Sequence, residues 1–209
     1  MINLDNHIIK TNIPSNIPII LGSSSSNRRK IIKYLGWDIN YDNPNIDEKQ
    51  IRCNNPYELP LKIALEKANK LYSKLNNETI LITCDQIVLC NGNILEKPET
   101  LEEAYSFFKS YSNNEVKLIN GIIVSHYPSG YQITKVDIST IYFNQITEEN
   151  IKKLIINKDI FSSAGGIIIE DNSLYSLIKS IEGSISSVMG LNYEIVINMI
   201  NDMKTHISK

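Results

Sequence analysis

Residues 18–35 read Pro18-Ile19-Ile20-Leu21-Gly22-Ser23-Ser24-Ser25-Ser26-Asn27-Arg28-Arg29-Lys30-Ile31-Ile32-Lys33-Tyr34-Leu35. The apolar run from Pro18 to Leu21 stops at a glycine and four serines, and Ile31, Ile32 and Leu35 then recur at helical spacing. The stretch is a strand, a polar loop and a helix, the repeating unit of an α/β fold.

The same logic continues outward. Trp37–Tyr41 is extended, and Pro56 opens a helix whose apolar positions Leu59, Ile63, Ala64, Ala68 and Leu71 recur at three and four. Thr79–Leu89 is β-branched and apolar, as a strand covered on both faces would be, and Asn91-Gly92 favours a tight hairpin into Ile94. Thr100 with Glu103 caps a helix reaching Tyr111, Val116–Val124 returns to strand, and Tyr127–Gly130 is a turn. Tyr131–Phe143 alternates as a strand, and Thr147 with Asn150 opens a helix through Ile156. The Ile167–Ile169 run suits a buried strand, Gly183 and Gly190 flank a serine-rich segment, and Tyr193–Met203 is an amphipathic closing helix. No repeat or linker interrupts the pattern. The expectation is one α/β domain over residues 18–209 around a mixed sheet, preceded by a short extension, residues 1–17, free to move.

Composition narrows the function. With 209 residues, 42% hydrophobic and 21% charged, the chain is long enough for a substantial core, and neither disorder nor a fibrous architecture fits. A net charge of -2 gives no basic face for tracking a nucleic-acid polymer, although a local basic pocket for a small anion is compatible with it. No apolar run is long enough to span a bilayer, and the first residues do not read as a secretory signal. Three cysteines, Cys53, Cys84 and Cys90, are too few for a disulfide framework and point to a reducing compartment, the cytoplasm. His7, His126 and His206 are too scattered for a zinc site.

Two features carry chemistry. Only three of the 21 basic residues are arginines, and two of them, Arg28 and Arg29, follow the serine loop at a strand end. Free N–H groups, hydroxyls and a guanidinium fork suit phosphate oxygens, while the same residues also suit a solvated, serine-capped helix start. The order G-x-x-x-x-G-K-[ST] is absent, so this is not a P-loop. The second feature is Asp85, a carboxylate inside an apolar strand, where it must be paired, metal-bound or at the sheet's edge. A partly exposed Asp bonded to a nearby loop is the plainer alternative.

These blocks resemble, in order, those of the Maf family of nucleoside-triphosphate pyrophosphatases over nearly the whole chain after the extension. Leu21–Arg29 is similar to the family's S-x-S-x-x-R loop, Ile46-Asp47-Glu48 to its acidic pair, and Ala64-Leu65-Glu66-Lys67-Ala68 to its helical A-x-x-K-A. Thr83–Val88 resembles its strand with a central Asp, and Glu96-Lys97-Pro98 its Lys-Pro element. Ala164-Gly165-Gly166 and Ile181–Leu191 resemble its closing A-G and E-G-x-x-x-x-V-x-G-L blocks. Three positions depart from the frequent pattern: Gln86 stands where many members have Thr, Glu170 where many have Gln, and Asn120 where Thr is frequent. Gln86 and Glu170 resemble the branch with 7-methyl-GTP pyrophosphatases and plant-type relatives, whereas Asn120 replaces the hydroxyl of the frequent Thr with an amide.

The resemblance implies a single Maf-like fold of the anticodon-binding and inosine-triphosphatase type, with a mixed, strongly twisted central sheet flanked by helices. It implies hydrolysis of a nucleoside triphosphate to the monophosphate and pyrophosphate, as a house-cleaning enzyme for 7-methyl-GTP, UTP or CTP, and it allows a homodimer. Ser23, Ser25, Arg28, Lys67 and Lys97 would bind the triphosphate, Gln86 would also bind the substrate, and Glu170 would face its base. Glu48 and Asp85 would hold Mg²⁺ or Mn²⁺, and Asp85 would be catalytic as metal ligand, as base for the attacking water, or as both. Three alternatives stay open: a non-catalytic nucleotide-binding regulator of cell division, a dTTP/UTP-selective pyrophosphatase of the other branch, and nucleotidyl transfer, for which no acceptor site is evident.

Overall fold

A computed structural model describes residues 7–208. The elements run β1 (Ile19–Gly22), α1 (Ser26–Leu35), β2 (Asn40–Asp42), α2 (Leu59–Tyr72), β3 (Thr79–Cys90), β4 (Asn93–Leu95), α3 (Leu101–Tyr111), β5 (Glu115–Tyr127) and β6 (Gln132–Phe143). They continue with α4 (Glu148–Leu154), α5 (Asn172–Tyr175), β7 (Ile178–Glu182), α6 (Ile185–Val188) and α7 (Tyr193–Ile207). Short 3₁₀ turns occupy Glu48–Gln50, Lys158–Ser162 and Ala164–Gly166.

The sheet has seven strands in the order β2-β1-β3-β5-β6-β7, with β4 paired to β3. β1 lies parallel to β2 and β3, and the other pairings are antiparallel, so the expected mixed α/β sheet flanked by helices is present. Its centre, β3, is covered on both faces, which explains its unbroken apolar sequence. Ile80, Ile82, Cys84 and Val88 face the main core with Leu118, Ile122 and residues of α1, α3 and α7. On the other face α2 lays Leu59, Ile63, Ala64 and Ala68 over Ile87, Ile119 and Ile123. This helix sits close because β5 has Gly121 beneath it: a Cβ there would stand 2.2 Å from the Leu61 backbone nitrogen.

One detail of register creates the site. The β1 ladder on β3 ends at Gly22 opposite Thr83, and β4 takes up the same edge only at Val88. Residues 84–87 therefore have no strand neighbour on that side, and the opening lies where chain direction in the sheet reverses, a recurrent position for ligand clefts.

Local signals hold where capping and turn chemistry dictate them. Thr100 caps α3, Thr147 and Asn150 form a reciprocal capping box on α4, and Asn91 and Gly92 take positive φ in the β3–β4 hairpin. The buried strand expected at Ile167–Ile169 is corrected: the segment is irregular, following a 3₁₀ turn in which Gly165 and Gly166 both have positive φ. Ile167 and Ile169 are buried and Ile168 partly so, by packing alone and with no ladder partner among the described residues. The strand β7 carried no sequence signal, because its five residues alternate only weakly between core and solvent. Residues 7–17 of the extension lie against the domain: Ile8 is buried, Trp37 Nε1 donates to the Thr11 carbonyl at 3.1 Å and Lys204 Nζ to that of Pro14 at 2.7 Å. Residues 1–6, the remainder of the expected extension, lie outside the described residues. Among the described residues no helix is long and apolar enough to cross a membrane.

Candidate active site

The serine loop between β1 and α1 folds onto itself. Ser25 N donates to Ser23 Oγ at 3.2 Å, and the Ser25 hydroxyl, the N-cap of α1, accepts from Arg28 N at 3.5 Å. The two arginines then separate. Arg28 turns inward and is buried, its Nε donating to the Gly190 carbonyl at 2.9 Å and its Nη1 to Ser23 Oγ at 3.3 Å. Arg29 turns outward over the Tyr41 ring, and its Nε and Nη2 both donate to the Ser23 carbonyl, at 3.3 and 3.1 Å. Capping and ligand-facing roles thus coexist: Ser23–Arg28 all line a cleft of about 730 Å³.

At the floor of this cleft Lys67, from α2, meets two carboxylates. Its Nζ lies 2.7 Å from Asp85 Oδ1 and 2.7 Å from Glu48 Oε1, with the Cys84 carbonyl at 3.5 Å. The side chains of Lys67 and Asp85 are only 5% and 9% exposed, whereas that of Glu48, on the 3₁₀ turn after β2, is 44% exposed. Exposure separates the two acids. Burial pushes Asp85 above the ordinary aspartate value, against the pull of Lys67 and Arg28, and the Glu48 charge adds to the rise. Burial acts the same way on Glu48, but the charge and hydrogen bond of Lys67, with Lys97 and Arg28 behind them, carry it below its ordinary value. One acid is held ionised and its neighbour is made more basic, the division of labour that acid–base sites use.

Ser23, Ser25, Arg28, Glu48, Lys67, Asp85, Gln86 and Lys97 all line this one cleft. Gln86 does so with its amide nitrogen already committed, donating to the carbonyls of Ser187 and Val188 at 3.1 and 3.2 Å. Glu170 is not among the lining residues. Its Oε1 accepts from Lys30 Nζ on α1 at 3.1 Å, and its Oε2 is buried with no hydrogen-bond partner among the described residues. Asn120, which stands where Thr is frequent in the family, turns its amide to Ser187 and Asp137 instead of the cleft. Sequence reasoning missed the Gly190 carbonyl, which orients Arg28; the positive φ of 101° at Gly190 was hidden in an unremarkable glycine.

Among the described residues no cluster of three or more His, Cys, Asp or Glu is gathered for a metal. Two carboxylates at an open cleft, Asp85 and Glu48, are nonetheless the donor set that Mg²⁺ takes when substrate phosphates complete its shell, so the residues present fit such an ion.

The sequence model of the Maf-like protein family matches residues 18–203. A 7-methyl-GTP pyrophosphatase of Dictyostelium discoideum is 32% identical over 193 residues, 89% of this chain and 97% of that protein. A dTTP/UTP pyrophosphatase of Pyrococcus furiosus is 33% identical, covering 87% of this chain and 93% of its own. A second 7-methyl-GTP pyrophosphatase, of Idiomarina loihiensis, is 30% identical over 91% of this chain and 95% of its own.

Proposed function

This chain belongs to the Maf-like protein family, and from that premise we propose that it is a nucleoside-triphosphate pyrophosphatase, releasing pyrophosphate and a nucleoside monophosphate. The observation that carries this reading is the buried Lys67 bridging Asp85 and Glu48 beside a serine and arginine cradle. A polyphosphate is a dense negative charge, and Arg28, Lys67 and Lys97 supply three cations on one cleft while Ser23 and Ser25 supply hydroxyls. Arg28 Nε is occupied by the Gly190 carbonyl and Nη1 by Ser23 Oγ, which leaves Nη2 and the second Nη1 hydrogen for phosphate oxygens. Water adds to a phosphorus of the α–β bridge, the P–O bond to the departing phosphate breaks, and the proton of the water passes to Asp85. The raised basicity of Asp85 suits it to that transfer. Asp85 and Glu48 are the residues that would hold Mg²⁺ or Mn²⁺, which when bound neutralises charge on the phosphates.

The non-catalytic regulator is not favoured, since the relatives bear enzymatic names and both acids stand at the cationic cradle. Base preference is the finer part of the proposal, because relatives named for 7-methyl-GTP and for dTTP/UTP are about equally similar. Glu170 is the residue we assign to it: it stands outside the cleft lining with Oε1 on Lys30, but its buried Oε2 has no donor among the described residues, and guanine offers N1–H and an amine while 7-methylation adds positive charge. The test is pyrophosphate release from 7-methyl-GTP, GTP, UTP, CTP and dTTP by wild type and Asp85→Asn. Turnover falls at least about 100-fold in the variant; equal release by both removes Asp85 from the mechanism.

A further inference from the structure

The loop that orients Arg28 is tied from behind by a row of polar side chains that begins at the cleft with Gln86 and runs away from it. Gln86 on β3, Asn120 on β5 and Asp137 on β6 are directly opposed neighbours, a polar row crossing three strands. Asp137 lies outside the cleft lining. Its Oδ2 accepts from Ser187 Oγ at 2.5 Å and from Asn120 Nδ2 at 3.3 Å, and its Oδ1 accepts from Asn192 Nδ2 at 3.2 Å. Asn120 Nδ2 also donates to the Ser187 carbonyl at 3.1 Å, which Gln86 shares. One carboxylate thus holds residues 187 and 192, and between them lies Gly190, whose carbonyl is the acceptor of Arg28 Nε.

Three donors converge on the half-buried Asp137, and a carboxylate, with two acceptor oxygens and no donor, is the one side chain of that size that accepts from all of them. Gly190 adds a second constraint. Its φ of 101° is open to few other residues, and a Cβ there would stand 3.4 Å from Arg28 Nε, so the peptide is packed directly onto the guanidinium.

We propose that Asp137 is a positioning residue for Arg28: by fixing both ends of the 187–192 segment it sets the Gly190 carbonyl, and through it the direction in which the guanidinium fork faces the cleft. This rests on the reading of the cleft as a polyphosphate site. Without the carboxylate, Ser187 and Asn192 lose their shared anchor, the Gly190 carbonyl is no longer fixed, and Arg28 spends binding energy on its own ordering.

A double-mutant cycle of Asp137→Asn with Arg28→Ala tests this, read as the Kd of inorganic triphosphate by calorimetry and as kcat/KM for the best nucleotide. Asp137→Asn weakens triphosphate binding about 10-fold with Arg28 present and less than about 2-fold in the Arg28→Ala background. Equal losses in both backgrounds overturn the proposal, because a residue that merely holds the fold together acts regardless of Arg28. Ser187→Ala removes a single donor and carries the same test should Asp137→Asn not fold; it gives a smaller loss that also requires Arg28, and either no loss or equal losses in both backgrounds overturns the proposal. The two readings separate cleanly. Coupling in Kd without pyrophosphate release from any nucleotide refutes the proposed reaction alone, and release with equal losses in both backgrounds refutes the positioning role alone.

Discussion

Replacing Lys67 by methionine keeps the length of the stem and deletes the ammonium that both carboxylates touch at 2.7 Å. Glu48, 44% exposed, can turn to water, so its lost partner costs little. Asp85 is 9% exposed and has no such outlet except to take up a proton. That outlet limits the damage. Starting from the ordinary aspartate value of 3.8, protonation costs about 1.4 kcal/mol per pH unit, capping the penalty at about 4 kcal/mol at pH 7 and about 1.6 kcal/mol at pH 5. The sign follows from the direction of the shift: an acid whose native pKa is raised stabilises the fold at low pH, and the penalty grows as pH rises through the window above 3.8. For a chain of this size the Tm of Lys67→Met should fall by up to about 10 °C at pH 7 and by only a few degrees at pH 5. Turnover should fall at least about 1,000-fold, since a fixed cation at developing phosphate charge is lost. Adding Asp85→Asn neutralises the stranded acid, so the double variant should regain stability and remain inactive. Calorimetric scans at the two pH values, with pyrophosphate release at each, provide the measurement. A Tm loss independent of pH, a double variant no more stable than the single one, or turnover within about 10-fold of wild type would refute the reasoning.

Four further outcomes are expected. Because the Glu48 charge helps to raise Asp85, Glu48→Gln should move the acidic limb of kcat/KM to lower pH while reducing its plateau; a stationary limb would show that the two acids do not communicate. Gly121→Ala places a Cβ 2.2 Å from the Leu61 backbone nitrogen, so α2 must lift and carry Lys67 with it. We expect a loss of about 2 kcal/mol or more in denaturant unfolding together with a drop in turnover, and wild-type behaviour in both would contradict the close approach. Activity should vanish in chelator and return with Mg²⁺ or Mn²⁺, zinc being unnecessary, as measured by pyrophosphate release after metal removal. Glu170→Gln should lower kcat/KM for 7-methyl-GTP relative to UTP by about 10-fold, and unchanged ratios across the nucleotide panel would take Glu170 away from the base.

What the sequence determined by itself was whatever depends on neighbours along the chain. The strand, loop and helix of residues 18–35, the amphipathic face from Leu59 to Leu71, the caps at Thr100 and Thr147 and the Asn91-Gly92 turn are set by periodicity and local hydrogen bonding, and each occupies its expected place. Arg28, Lys67 and Asp85 were also legible as candidates, because a rare arginine pair and a carboxylate in an apolar strand are anomalies visible without coordinates. Ile167–Ile169 shows the limit: three isoleucines have the same hydrophobicity in a strand as in an irregular buried loop, and only the absence of a ladder partner distinguishes them. Tertiary structure alone decided that Lys67, eighteen residues before Asp85, meets it where α2 packs over the face of β3, and that Arg29 turns away while Arg28 turns in. It also decided that Glu170 pairs with Lys30 outside the cleft lining and that Asp137, an ordinary acid in an alternating strand, holds the loop behind Arg28. The reason is range: a charged side chain's partner, burial and basicity depend on groups that folding brings within about 4 Å from any distance along the chain, and no local pattern encodes that meeting.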